Sequence, residues 1–251
     1  MPHELENPVV VDFPLRGQTW MAVTTPATRV PSHGTDILGQ RYAFDLLKVD
    51  GRRGVNFHPT TQLRGLFLGG ATRDCYAWGA SIHAPFDGEV VRASDGMPER
   101  AWIHPIGEAA RMIRNGLTFE PSKIPSIMGN HVLLRSTGGL GGRSGTGTGA
   151  VSGTGTGTGT GTVYAGFAHL APGSVAVVAG QHVAAGDLLG RVGHTGNSTS
   201  PHLHFQLMDS PDLMSARGIP CAFREYEVER DGEWVRVRNG IPGQRDRIRS
   251  V

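Results

Sequence analysis

The fold is decided by residues 180–205, which read GQHVAAGDLLGRVGHTGNSTSPHLHF. Short apolar runs alternate with glycine over the first half, a pattern typical of short strands joined by tight turns. The second half passes through a polar loop into HLHFQLM (202–208), where polar and apolar residues alternate as in a half-buried strand. The stretch therefore predicts antiparallel β structure.

The neighbouring segments extend this pattern. Residues 84–96, APFDGEVVRASDG, are typical of strand, turn and strand, and the stretch after Ile219 predicts an edge hairpin around Asp231-Gly232. A short helix over 107–115 is the main exception. We predict a mainly β, antiparallel, sheet-based single domain.

Residues 138–162 form a Gly/Thr-rich insertion in which 12 of 25 residues are Gly. So few side chains can be buried that we interpret it as a disordered loop. Its flanks, 131–135 and 163–170, have the composition of strands, which predicts a β-hairpin with a stretched tip. Such an insertion costs little stability because loop-closure entropy grows only logarithmically with length.

The charge of the chain is nearly balanced, at +2 with a pI of about 8.7, and no dense Lys/Arg run is present. We therefore expect no nucleic-acid partner. No apolar run reaches the ~20 residues of a membrane span, and the N-terminus lacks a basic segment followed by an apolar one. The sequence predicts a cytoplasmic protein, or an extracellular or cell-wall one if another export route is used.

The metal-binding residue types are mostly histidines, 11 in number, against two cysteines, Cys75 and Cys221. We interpret both cysteines as small buried side chains, with a single disulfide as the alternative. A metal site would accordingly use imidazole and carboxylate rather than thiolate ligands.

The strongest chemical signal is the pair His202 and His204. Residues i and i+2 of a strand point to the same face, so these imidazoles should project side by side while Leu203 and Phe205 pack on the other face. Such a pair can bind a metal, or bind it with one ring and transfer protons with the other. Two surface histidines are the alternative.

Three upstream residues join this pair as candidates. His169 lies in YAGFAHL, His33 lies near the N-terminus, and Asp45 follows it by 12 positions within the apolar run YAFDLL. A carboxylate inside a strand-like apolar run needs a partner, and a metal ion is one such partner.

Read together, these pieces resemble the lysostaphin-type zinc metallopeptidases, which include the LytM-like and β-lytic enzymes. The similarity covers roughly residues 30–210, and the pieces run in the family's order. They are the His…Asp pair, IHAPFDGEVV (82–91), GNHV (129–132), FAHL (167–170) and the opening stretch 180–205.

The resemblance implies a role for each candidate residue. His33, Asp45 and His204 would bind one zinc ion, and His169 and His202 would be the catalytic histidines beside it. It further implies a substrate groove across the sheet and hydrolysis of short, Gly- or Ala-containing peptide bonds such as peptidoglycan cross-links. We expect a monomer whose partner is a peptide substrate, possibly peptidoglycan.

One departure from the common pattern affects the N-terminal ligands. Many members carry H-x-x-x-D, but position 41 is an arginine here. The wider spacing from His33 to Asp45 resembles the β-lytic branch. Asp36 is the competing carboxylate, although it lies in a Gly-containing stretch and Asp45 lies in an apolar run.

Two other classes of function have to be considered. The Gly-punctuated turns also resemble a biotinyl or lipoyl carrier, but no lysine occupies the corresponding turns. An inactive family member acting as a regulator or binding scaffold is the stronger alternative. The remaining histidines are interpreted as structural or solvated: His3, His58, His83, His104, His131, His182 and His194.

The domain interpretation has three parts. Residues 1–29 are an N-terminal lead-in strand or strands, residues 30–210 are the zinc metallopeptidase domain carrying the insertion 138–162, and residues 211–251 are a hairpin extension packed on that domain.

Overall fold

A computed structural model describes residues 7–17, 19–51, 54–60, 68–118, 120–138, 140 and 161–251. The α-helices whose bounds it describes are α1 (Pro105–Leu117) and α2 (Ile124–Met128), and 3-10 turns span Ile37–Tyr42, Thr72–Asp74 and Pro121–Lys123. The strands are β1 (Val9–Val11), β2 (Trp20–Thr24), β3 (Phe44–Lys48), β4 (Gly70–Ala71), β5 (Ser81–His83), β6 (Gly88–Ser94), β7 (Trp102–Ile103), β8 (Asn130–Ser136), β9 (Tyr164–Leu170), β10 (His182–Val183), β11 (Leu188–Arg191), β12 (Leu203–Met208), β13 (Gly218–Ile219), β14 (Cys221–Arg230), β15 (Glu233–Gly240) and β16 (Arg247–Arg249).

The main sheet has twelve strands within the described residues. Its order is β1-β14-β16-β2-β3-β12-β9-β8-β6-β10, with β13 beside β12 and β15 beside β14. The pair β1–β14 is parallel, and the other pairings along this order are antiparallel. The predicted mainly antiparallel β fold is confirmed.

The central strands β3, β12 and β9 bury different residues on their two faces. We call one side the core face, because its side chains belong to the main hydrophobic cluster and are fully buried. The other side, the groove face, carries polar side chains and a smaller apolar cluster under α2. The core-face residues of these strands include Phe44, Leu46, Phe167, Leu203 and Phe205.

The predicted hairpin around the insertion is confirmed, because β8 and β9 pair antiparallel from Asn130–Leu170 to Arg135–Tyr164. Residues 139 and 141–160 of the predicted disordered loop lie outside the described residues. At its root the Ser136 amide donates to the Val163 carbonyl at 2.8 Å. This root lies at the opposite end of β9 from His169, about 20 Å away for six residues of extended strand.

The helix predicted over 107–115 is α1, which begins two residues earlier with Pro105 in its first turn. A proline there is tolerated because the first helical amides have no intrahelical partner. The C-terminal hairpin is also confirmed: β14 and β15 pair across Asp231 and Gly232, which both have positive φ as this type of tight turn requires.

The remaining expectations concern the cysteines, a membrane span, the domain boundaries and the oligomeric state. Cys75 and Cys221 are free and buried, as predicted, so the disulfide alternative is wrong. No helix in the described part of the chain is long and apolar enough to cross a membrane. The domain boundaries at residues 29 and 210 stay predictions, as does the monomeric state.

Candidate metal centre and groove

Asp45 is at the centre of the candidate site. It lies on β3 directly opposite His204 of β12. Its neighbours Phe44 and Leu46 point into the core face, so strand alternation turns the Asp45 carboxylate to the groove face.

The other two predicted ligands, His33 and His204, both contact this carboxylate. His33 Nε2 lies 3.0 Å from Asp45 Oδ2, and His204 Nδ1 lies 3.0 Å from Asp45 Oδ1. One ligand atom from each of the three residues lies within 4.8 Å of the others. Two imidazole nitrogens and one carboxylate oxygen are a donor set that zinc favours at catalytic sites, so these residues fit the implied metal.

The two predicted catalytic histidines lie beside this cluster. His202 Nε2 is 3.3 Å from Asp45 Oδ1. The ring of His169 is 4.9 Å from that of His202 and 6.0 Å from that of His204, measured between centroids. The structure thus brings all five sequence-predicted site residues together, although their individual roles stay predictions.

Outer hydrogen bonds fix the tautomers of the two ligand imidazoles. Ser32 Oγ donates to the Gln40 carbonyl, so it accepts from His33 Nδ1 at 3.1 Å and leaves the lone pair of His33 on Nε2. His204 Nε2 donates to Gln206 Oε1 at 2.8 Å, which leaves its lone pair on Nδ1. Both free lone pairs face Asp45, which is the orientation metal coordination requires.

The other two imidazoles are fixed by main-chain carbonyls. His169 Nδ1 donates to the Thr195 carbonyl at 3.0 Å, and His202 Nδ1 donates to the Ser200 carbonyl at 2.7 Å. Each therefore keeps its lone pair on Nε2. These two nitrogens are available to accept a proton at the centre.

His169 reaches the groove face through a local irregularity. Phe167 and Leu170 belong to the core face, and regular alternation would place His169 with Phe167. The pairing of β8 with β9 shifts between Asn130 and Val132, and His169 has a φ of 68°. This bulge lets Ala168 and His169 both line the groove.

The charges of the cluster are coupled. Burial raises the pKa of the Asp45 carboxyl. When the neighbouring imidazoles carry a second proton, the charges of His33 and His202, with the hydrogen bonds that His202 and His204 then donate, outweigh burial and hold this pKa well below its usual value. Burial lowers the pKa of His202, but the Asp45 carboxylate raises this pKa by more, so the net shift is upward. Burial, His202 and His204 hold the pKa of His169 well below its usual value.

The cluster opens into a groove of about 330 Å³ between the 3-10 turn at Ile37–Tyr42, α1 and the end of α2. Its described lining has no lysine, arginine or glutamate, and Asp45 is the acidic member. Apart from the site itself, the walls present neutral amide, hydroxyl and apolar side chains: Thr35, Ile37, Leu38, Gln40, Met112, Asn115, Ile127, Met128, Ala168, Asn197 and Thr199.

The competing carboxylate Asp36 does not join the cluster. It is exposed, and both of its oxygens accept from Arg41 Nη1 at 2.7 Å. Arg41, the residue that departs from the common H-x-x-x-D pattern, is thus engaged with Asp36. Of the two candidates it is Asp45 that lies with His33.

The sequence interpretation missed several supporting residues. Gln206 had a readable signal, since it lies two residues after His204 and therefore shares its face. Ser32, which orients His33, is adjacent to it but has no distinctive pattern. Arg100 and Arg111, which bond the loop 194–200, carry no spacing that links them to it.

Comparison with known families gives one match. Residues 126–215 match the sequence profile of peptidase family M23. The matched range contains His169, His202 and His204 and ends short of His33 and Asp45 on the N-terminal side. A search of curated proteins found no match to the chain.

A comparison with solved structures gives several matches of low sequence identity. Lysostaphin in solution is 21% identical, with a TM-score of 0.31 over 57% of this chain and 37% of that one. The lysostaphin catalytic domain from Staphylococcus simulans is 19% identical, with a TM-score of 0.30 over 66% and 86%. Pseudoalterin, a deep-sea M23 metalloprotease, is 13% identical, with a TM-score of 0.40 over 94% and 98%. This chain therefore spans little more than a third of the lysostaphin in the first structure.

Proposed function

We propose that this chain is a zinc-dependent endopeptidase that cleaves short Gly- or Ala-containing peptide bonds, such as peptidoglycan cross-links. The match of residues 126–215 to the sequence profile of peptidase family M23 supports this proposal. The observation that carries the proposal is the five-residue cluster. His33, Asp45 and His204 present three zinc-type donors within 4.8 Å of one another, and two further imidazoles stand beside them.

His33 Nε2, an Asp45 carboxylate oxygen and His204 Nδ1 would hold the zinc. When bound, zinc supplies Lewis-acid polarisation of the scissile carbonyl and lowers the pKa of a water molecule towards ~7. The contribution of the protein to this chemistry is orientation, since Ser32 and Gln206 hold the two ligand imidazoles in the required tautomers.

His169 and His202 would carry out the proton transfers. Peptide hydrolysis needs a proton taken from the attacking water and a proton delivered to the leaving amine. Each of these two imidazoles has its Nδ1 hydrogen committed to a carbonyl, so each accepts and returns a proton at Nε2. Two such groups side by side can supply both transfers within one turnover.

The groove favours an extended, uncharged peptide with small side chains. Among the described residues, its wall offers hydrogen-bonding groups from Gln40, Asn115, Asn197 and Thr199 but no lysine or arginine that would attract an acidic residue. Gly- and Ala-containing segments expose backbone amides that such neutral groups can bind. A peptidoglycan cross-link has this character, and acting on it would place the protein at the cell wall.

The test is zinc content by plasma mass spectrometry together with cleavage of quenched Gly- and Ala-containing peptides. We expect about one zinc per wild-type chain, none in His204→Ala, and cleavage that a chelator abolishes. The exposed residue His182 supplies the matched control, because His182→Ala removes an imidazole away from the site and should change neither result.

Two outcomes would contradict the proposal. Absence of zinc in the wild-type protein after supplementation would favour an inactive scaffold. Retention of full zinc by His204→Ala would show that the metal is held elsewhere.

A further inference from the structure

The orientations of His169 and His202 depend on one loop. Residues 194–200, which we call the acceptor loop, supply both carbonyls that receive the Nδ1 hydrogens, Thr195 to His169 and Ser200 to His202. A shift of this loop would therefore turn both imidazoles and move both proton-accepting nitrogens.

Two arginines from outside the loop hold its main chain. Arg100 donates to the Gly196 carbonyl at 3.2 Å and to the Ser198 carbonyl at 2.9 Å. Arg111 of α1 donates to the same two carbonyls, at 3.2 Å and 2.8 Å. The planar fork of a guanidinium can bind two acceptors at once, so each arginine fixes the distance between these carbonyls.

A buried carboxylate positions both arginines. Glu108 of α1 is 5% exposed; its Oε1 accepts from Arg100 Nε at 3.0 Å and its Oε2 accepts from Arg111 Nη2. A carboxylate is rarely so buried unless it is paired. Here it aligns two guanidinium groups that would otherwise repel one another.

A histidine continues the network towards His202. Arg100 Nη2 donates to His194 Nε2 at 2.9 Å, so the hydrogen of that ring is on Nδ1, which donates to Ser198 Oγ at 3.0 Å. Ser198 Oγ in turn donates to the Ser200 carbonyl at 2.6 Å. That carbonyl is the acceptor of His202 Nδ1.

We propose that Arg100, Glu108, Arg111 and His194 are positioning residues that set the orientation of His169 and His202 without contributing to zinc binding. Among the described residues, none of the four is hydrogen-bonded to His33, Asp45 or His204. The network ends instead on the acceptor loop. The effect on turnover rests on the proposed peptidase function, whereas the effect on the imidazoles does not.

The test uses full-length, zinc-loaded Glu108→Gln and Arg111→Lys. Glu108→Gln removes the negative charge of the carboxylate at similar volume. Arg111→Lys keeps the positive charge but loses the planar guanidinium that binds two carbonyls at once. Exposed Arg114, on the same helix, supplies the matched control Arg114→Lys. The measurements are zinc content, kcat and KM for the quenched peptide, and nitrogen-15 NMR signals that report the tautomers of His169 and His202.

We expect zinc content to be unchanged and kcat to fall roughly 10- to 100-fold, as when outer-shell partners are lost elsewhere, while KM stays within about twofold. The signals of His169 and His202 should change from a single Nδ1-protonated tautomer to a mixture. Arg114→Lys should match the wild type. If Glu108→Gln does not fold, Arg111→Lys is read in the same way.

Folded variants with wild-type kcat and wild-type imidazole signals would overturn the proposal. So would loss of zinc together with loss of activity, because the network would then support the whole site. If the zinc-loaded wild type cleaves no peptide, the proposed function fails, and the imidazole signals still decide the positioning role.

Discussion

The two faces of strands β3, β12 and β9 use the same backbone for different purposes. On the core face, Phe44, Phe167 and Phe205 are fully buried and their rings pack at centroid distances of 5.4–6.5 Å. On the groove face, Asp45 and His204 each follow or precede one of those aromatic residues by one position, and they place a carboxylate and an imidazole in the site. Changes on the core face should therefore act on stability, and changes on the groove face on metal binding and chemistry.

The largest effect should come from Asp45 on the groove face. Asp45→Asn preserves the shape but removes the anionic ligand, so zinc affinity should fall by more than the roughly 100-fold that loss of an outer partner costs. Competition with a fluorescent chelator measures the change. Exposed Asp36 gives the control, Asp36→Asn, and an equal loss in both variants would contradict the assignment of Asp45 as the ligand.

The next effect belongs to the core face. Phe205→Ala, one residue from His204, should lower the free energy of unfolding by about 3–5 kcal/mol, because a fully buried ring is replaced by a cavity. Urea unfolding measures this value. The folded fraction should still bind zinc, and Val235→Ala, at a half-exposed position, should change stability far less. Loss of zinc from folded Phe205→Ala would show that the two faces are not separable.

Acid sensitivity should arise on the groove side. Burial, followed by Arg100, His202 and Arg111, lowers the pKa of His194 to about 2 from an ordinary value of 6.5. Below the ordinary value the unfolded chain binds a proton that the folded chain does not, so the free energy of unfolding falls as pH falls, by up to about 1.4 kcal/mol per pH unit.

His194→Asn should flatten this dependence by about the slope of one proton between roughly pH 4 and 6. Urea unfolding at several pH values gives both slopes. His182→Asn, at an exposed position, should leave the slope unchanged. Parallel pH dependences for wild type and His194→Asn would show that this imidazole is not held neutral in the folded protein.

The smallest effect concerns the irregularity that turns His169 to the groove. A side chain at a φ of 68° costs roughly 1 kcal/mol that glycine avoids. His169→Gly should therefore be more stable than His169→Ala by about 1 kcal/mol in chelator-treated protein, measured by urea unfolding. At neighbouring Ala168, which has no positive φ, substitution by glycine should destabilise instead. If alanine were the more stable residue at position 169 as well as at position 168, backbone strain at His169 would be excluded.

Strand alternation made much of this site predictable. In HLHFQLM and YAFDLL a period of two separates the aromatic residues from His204 and Asp45, so the side on which each would lie could be read from local spacing. The confirmed hairpins at 131–170 and at Asp231-Gly232 likewise depend on short-range turn and strand patterns. These features rest on neighbours a few residues apart.

Other features depend on contacts that spacing does not encode. His169 breaks the alternation through a bulge formed with β8, so its face could not be derived from β9 alone. Arg100 lies 96 residues from the carbonyl of Gly196 that it binds. The placement of Asp45 directly opposite His204 required the register of β3 against β12, which only the assembled sheet provides.

The hairpin of β8 and β9 has a consequence for engineering this protein. Its root is closed by two hydrogen bonds, from the Ser136 amide to the Val163 carbonyl at 2.8 Å and from the Val163 amide to Ser136 Oγ at 3.1 Å. This root lies at the end of β9 remote from His169, so we expect a domain inserted in the chain between Ser136 and Val163 to leave the site geometry unchanged. The connection between β8 and β9 is therefore the place at which we would attach a reporter domain or an affinity handle.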